Sequence, residues 1–140
     1  MATWTEPKTN WAISDRFNIG DYNRIKNNLQ YLIDKTEQLF KPFEHTDMGA
    51  DITTYTGYRT AAQFNAIEKN LENMNKAALN RDYGVTKTYY SNGVFIKYDE
   101  LNRIESACVN MKGIIEGAEA GMVGKRFAFV AGRYKEAVKQ

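Results

Sequence analysis

The chain has one cysteine, one histidine and two prolines in 140 residues. A lone cysteine excludes an internal disulfide, so no cross-linked framework supports the fold, and assembly in a reducing compartment is expected. Cys108 lies on an apolar stripe and reads as a small core residue. The lone histidine, His45, sits in a loop beside Glu44 and Asp47, a spacing that fits no metal site. Acid–base chemistry would have to rest on carboxylates, lysines or tyrosines, and no pair of these stands out from ordinary helix-surface charge. Ser14, Ser91 and Ser106 have no triad context. Gly124-Lys125 is followed by Arg126 and lacks the earlier glycine of a phosphate-binding loop. No apolar run approaches the roughly 20 residues of a membrane span, and Met1–Asn10 is too polar for a signal peptide. Charge nearly cancels, with 19 basic and 17 acidic residues, so long-range attraction to nucleic acid is weak. The expectation is a non-enzymatic protein with no cofactor, no metal and no membrane insertion.

What the chain does have is a motif written three times. Tyr22-Asn23-Arg24-Ile25 is followed by Leu29 and Leu32, Phe64-Asn65-Ala66-Ile67 by Leu71 and Met74, and Leu101-Asn102-Arg103-Ile104 by Cys108 and Met111. Each copy sets a large apolar residue, an asparagine and a later isoleucine at helical spacing, and the copies lie about 40 residues apart, the signature of one reused supersecondary unit. Ile25, Ile67 and Ile104 are expected at equivalent buried positions. The asparagine sits beside the buried stripe in the first turn, where its carbonyl and amide can both hold an incoming loop. Arg24 and Arg103 follow it in two copies, and Ala66 in the third shows that arginine is dispensable to the unit.

These patterns predict a mainly α single domain over 1–140, a three-helix bundle with an extended aromatic arm over 1–17. Helical motifs are expected over 18–41, 60–80 and 98–120. Asn18 with Asp21, and Thr60 with Gln63, read as capping boxes, whereas Lys97 is a poor cap for the third helix. Pro42 closes the first helix. A small β-hairpin is expected over Thr86–Ile96 around Asn92-Gly93, and a short strand over Ile52–Tyr58. Gly113, Gly117 and Gly121 mark either close backbone contact or a fraying end. Segment 122–140 is expected as a separate C-terminal element, with Phe127–Val130 reading as a strand and helix also open from Gly132.

Two stretches carry functional expectations. Trp4 and Trp11 in the arm either cover this chain's own apolar surface or dock to a partner, and docking is the preferred reading. Lys125, Arg126, Arg133 and Lys135 lie among Phe127, Phe129 and Tyr134, an interleaving that serves nucleic-acid contact as the alternative function.

The run Trp4-Thr5-Glu6-Pro7-Lys8-Thr9-Asn10-Trp11, with Asp15-Arg16-Phe17-Asn18 and Asp21-Tyr22-Asn23-Arg24-Ile25-Lys26-Asn27-Asn28-Leu29, resembles a segment of minor structural proteins of phages and prophages of Gram-positive bacteria. Those proteins belong to tails, baseplates or fibres. The resemblance is close over about Trp4–Leu32 and transfers no catalytic residue. It implies a virion component, assembled in the host bacterial cytoplasm, that contacts other virion structural proteins and forms a homo-oligomer. The short chain, with no collagen-like repeat or long coiled coil, favours an adaptor, plug or small tail component over a fibre.

Overall fold

The computed structural model describes the backbone of residues 2–54, 60–79, 81–91 and 96–139, and their side chains except at 78–79 and 122–139. It contains three helices, α1 (Ile19–Leu39), α2 (Ala61–Met74) and α3 (Tyr98–Lys139), with one π-helical turn (Asn75–Leu79) extending α2. The first two begin where the side chains demand. Asn18 Oδ1 accepts from the Asp21 amide and Asp21 Oδ2 from the Asn18 amide, both at 3.0 Å. Thr60 Oγ1 accepts from the Gln63 amide at 3.3 Å and Gln63 Oε1 from the Thr60 amide at 2.9 Å. At the third helix, Lys97 supplies no such oxygen, and Asp99 and Glu100 place negative charge in the first turn instead. Phe40 donates to the Thr36 carbonyl at 2.8 Å as α1 ends, just before Pro42.

Two expectations about β-structure are corrected. No strand occurs among the described residues. Tyr89, in the anticipated hairpin, has its backbone N–H and C=O held by a side chain instead of a ladder. The Asn92-Gly93 turn and Val94-Phe95 of the hairpin's second arm, and Tyr55–Tyr58 of the other anticipated strand, lie outside the described residues. Phe127–Val130 is helical, because α3 does not stop near residue 120 but runs on to Lys139. Those few strand-favouring residues are flanked by alanine, lysine, arginine and glutamate, and weak strand preference yields to helical context. Gly113, Gly117 and Gly121 neither admit a close neighbour nor end the helix. A Cβ at any of them would meet nothing within 4 Å, so they lie on an open face.

The helices run parallel. Arg24 near the start of α1 meets Glu105 near the start of α3, and Lys35 late in α1 meets Glu119 further along α3. Tyr22 and Phe64 touch edge to face at 5.9 Å in the first turns of α1 and α2. The segments that lead into α2 and α3 must therefore carry the chain back along the bundle. These return segments lie in the grooves between helices. The arm occupies the α1–α3 groove, the stretch after α1 the α1–α2 groove, and the stretch after α2 the α2–α3 groove.

The motif positions converge on the axis. Ile25, Ile67 and Ile104 are all buried, as are the paired positions Leu29, Leu71 and Cys108, and Leu32, Met74 and Met111. Trp11, Phe17 and Ile96 join this cluster from the return segments. Among the residues of α3 whose side chains are described, the last buried one is Ile115, in a helix of 42 residues and about 63 Å. Ile67→Ala should cost about 2–5 kcal/mol, measured by urea unfolding, and Ile25→Ala and Ile104→Ala should fall in the same range. A change near zero at any one of them would break their equivalence.

Candidate functional site

The three motif asparagines do one job. Asn23 accepts from the Ile52 amide and donates to the Ile52 carbonyl, both at 2.9 Å. Asn65 holds Tyr89 in the same way at 2.7 and 2.9 Å, and Asn102 holds Trp11 at 2.7 and 2.9 Å. A carboxamide has the donor and acceptor of a peptide group, so it serves as a one-residue strand partner for an extended backbone. A second tier lies further along each groove. Asn28 clamps Thr5 at 2.8 and 2.7 Å, and Asn70 clamps Thr46 with both bonds at 2.7 Å. The equivalent residue on α3 is Ala107, which cannot clamp, and Tyr83 packs its ring against the core there instead. Gly84 follows with φ of 87°, and a Cβ on it would stand 2.6 Å from Arg103 Cδ. Geometry and space both require glycine at that position.

Buried charges tie the helices together in the same cyclic order. Arg24 on α1 reaches Glu105 on α3 through Nε at 2.9 Å and Nη2 at 3.1 Å. Arg103 on α3 bonds Glu68 on α2. Each arginine is also held by the acid three residues earlier, Asp21 at 2.8 Å and Glu100 at 2.6 Å. Each buried glutamate takes a further donor from the clamped aromatic residue, the Trp11 indole for Glu105 and the Tyr89 hydroxyl, at 2.8 Å, for Glu68. Burial first, then the Glu68 carboxylate, pushes the Tyr89 phenol well above its ordinary range.

The third vertex is rewired. Lys26 stands where the other helices have glutamate, Ala66 where they have arginine, and Ile52 where they have an aromatic donor. An arginine at 66 would face Lys26, and an aromatic N–H or O–H at 52 would find no carboxylate. Lys26 turns instead to the return segment, donating to Asp51 Oδ1 at 2.6 Å and the Gly49 carbonyl at 3.1 Å.

Trp11 is buried on its own chain. It is 4 % exposed, its backbone is clamped and its indole bonds Glu105. A large ring adjoining both the core and a buried acceptor leaves water and keeps its indole N–H paired. Trp4 is half-buried, 5.7 Å from the Tyr31 ring with Lys112 over its face. The arm thus packs on its own chain. His45 bonds Glu37 at 2.9 Å. No group of three or more metal-ligating side chains converges among the described residues, and no described helix is long and apolar enough to cross a membrane. Lys125, Arg126, Arg133 and Lys135 lie on the helical backbone of α3, and their side chains fall outside the described residues. Among the described residues, the most exposed large apolar side chains are Ile13, Val85, Tyr90 and Tyr98. Ile13 and Tyr98 border a cleft of about 870 Å³ that Trp11, Arg16, Phe17 and Leu101 also line, where the arm meets the start of α3.

Sequence reasoning reached Asn23, Asn65 and Asn102 through their repetition. It missed Asn28 and Asn70, whose shared offset of five residues from the first clamp was the available signal. It also missed Glu68 and Glu105, which look like surface charge until their arginines are placed. No protein-family model, curated protein or solved structure matches this chain.

Three outcomes are expected. Ala66→Arg and Lys26→Glu should each destabilise, and the double variant should recover stability through a coupling of about 0.5–3 kcal/mol. Additive losses in denaturant unfolding would reject the shared register. Hydrogen bonds from Lys26 and then Asn27 lower the Asp51 pKa. A depressed carboxyl stabilises above its unfolded value, near about 3.9, and that contribution is lost as pH falls through the folded value. Asp51→Asn should therefore flatten the acid limb of a thermal-midpoint profile below about pH 4, and an unchanged limb counts against the contact. Burial, reinforced by Glu105, pushes the Cys108 thiol up to about 12, so a disulfide reagent at pH 8 should react only after denaturation. Prompt labelling of the native chain would contradict its burial.

Proposed function

We propose that the chain is a non-enzymatic structural module of a phage virion, a tail, baseplate or connector adaptor acting through protein–protein contacts. The observation that carries this reading is the cyclic arrangement of three equivalent helix-and-segment units in one chain. Such a molecule offers nearly the same face three times around its axis, which suits contact with several identical subunits of a symmetric particle. The inward polar groups support the reading too, because clamps and ion pairs engage them in holding shape. The exposed Ile13, Tyr90 and Tyr98 supply apolar contact surface outside the core. The resemblance of the arm and first helix to phage tail and baseplate proteins supplies the setting, a virion assembled in the host bacterial cytoplasm.

Multi-angle light scattering of the chain, alone and mixed with structural proteins encoded beside it, tests this. Formation of a complex of defined stoichiometry is expected. A chain that stays monomeric and binds none of them overturns the reading. Binding to a mixed-sequence duplex that weakens steeply with salt would favour nucleic-acid contact through Lys125, Arg126, Arg133 and Lys135 instead.

A further inference from the structure

The cycle of three units is closed twice by the chain and once only by contact. Peptide linkers join α1 to α2 and α2 to α3, but no linker joins α3 back to α1. That junction is made by the arm, which lies in the α1–α3 groove with Thr5 clamped by Asn28 on one wall and Trp11 by Asn102 on the other. Glu105 adds bonds to the Lys8 amide, at 3.1 Å, and to the Trp11 indole. The groove is thus a complete receptor for an extended peptide of this sequence, and every bond it makes is offered by any copy of the chain. The arm is tethered to α1 through residues 12–16, all exposed, which form a turn closed by the Asp15 amide on the Ala12 carbonyl at 2.9 Å. Ile13 in that turn is 86 % exposed and borders the cleft between the arm and the start of α3.

We infer that the arm is an exchangeable strap: in assemblies of this chain, residues 2–11 of one copy fill the α1–α3 groove of another. The exchanged arm keeps every clamp, and only the exposed turn changes course. In a reciprocal dimer the two turns cross near the dyad, bringing both Ile13 side chains from water into contact with each other and with the cleft. The occupant is a second copy, because the groove already reads this sequence by backbone clamps and by an indole-to-carboxylate bond. This goes beyond the adaptor role, since it requires no other virion protein, and the two stand or fall separately.

Shortening the turn is the test. Deleting Ser14 and Asp15 removes the turn that folds the arm back onto its own groove, closed by the Asp15 amide on the Ala12 carbonyl, while leaving every clamp residue in place. Sedimentation velocity should then show a dimer across micromolar concentrations, with Trp11 fluorescence as buried as in the parent. A folded monomer, with its arm displaced or still seated in its own groove, overturns the proposal. The full-length chain gives an independent reading. One sample carries a donor dye at Thr3→Cys and another an acceptor at Val109→Cys; Cys108 stays buried and unlabelled. After the mixture is warmed through unfolding and cooled at high concentration, energy transfer is expected in the dimer fraction. Its strength should match that of a single chain carrying both dyes. A dimer whose transfer is weaker than this reference pairs face to face without exchange, and overturns the proposal, as does a mixture that forms no dimer.

Discussion

The side-chain carboxamide, used as a substitute for a peptide group, is the interaction on which this architecture rests. Parallel helices in one chain force long return segments, and those segments lay backbone N–H and C=O groups along partly buried grooves between helices. Such groups must be paired. A sheet would pair them, but each return segment lies between helices and has no strand beside it. Asn23, Asn65 and Asn102 each hold a whole residue of extended backbone with two bonds, and Asn28 and Asn70 repeat the device further along. The register of each segment follows, and with it which of its side chains turn toward the core.

The ion pairs build on that register. A buried carboxylate is tolerable only where its partners are fixed. Glu105 meets that condition with a guanidinium, an indole and a backbone amide. Glu68 has a guanidinium and a phenol, and among the described residues its Oε1 finds no donor. The difference lies in the return segments, since the Lys8 amide reaches Glu105 and no amide of the later segment reaches Glu68. At the third vertex, glutamate, arginine and aromatic donor are replaced together by Lys26, Ala66 and Ile52. No one of these replacements is compatible with the other vertices' arrangement, and the three together are.

The helices, their capping boxes and their buried stripes were legible because period and caps are local properties. The role of the clamps was legible in part: the asparagines recur beside the stripe, but which backbone they hold depends on the path of the return segments. That path, and the parallel sense of the bundle, are tertiary facts that no local pattern encodes. The stretch at Thr86–Tyr90 looked like a hairpin arm because its residues favour extended backbone; the backbone partner of Tyr89 is a side chain instead of a strand. The two tryptophans look alike in sequence, yet Trp11 has a carboxylate within reach across the groove and the half-buried Trp4 meets the Tyr31 ring at a tilt. The failed stop near Gly121 has a local cause, since glycine weakens a helix without forbidding it.

The common direction of the helices also has an electrical consequence. In an up-and-down bundle the peptide dipoles of neighbouring helices oppose and largely cancel. Here three of them add, each equivalent to about half a positive charge at its first turn and half a negative charge at its last. A chain whose formal charge is only +2 is thereby polarised from end to end. Asp21, Asp99 and Glu100 temper the positive pole, the first turn of α2 carries no acid, and Lys76 in the π-helical turn that extends α2 tempers its negative end. A molecule of this kind has a preferred sense along its axis even where its three sides are alike, because its two ends present opposite partial charge to whatever they touch.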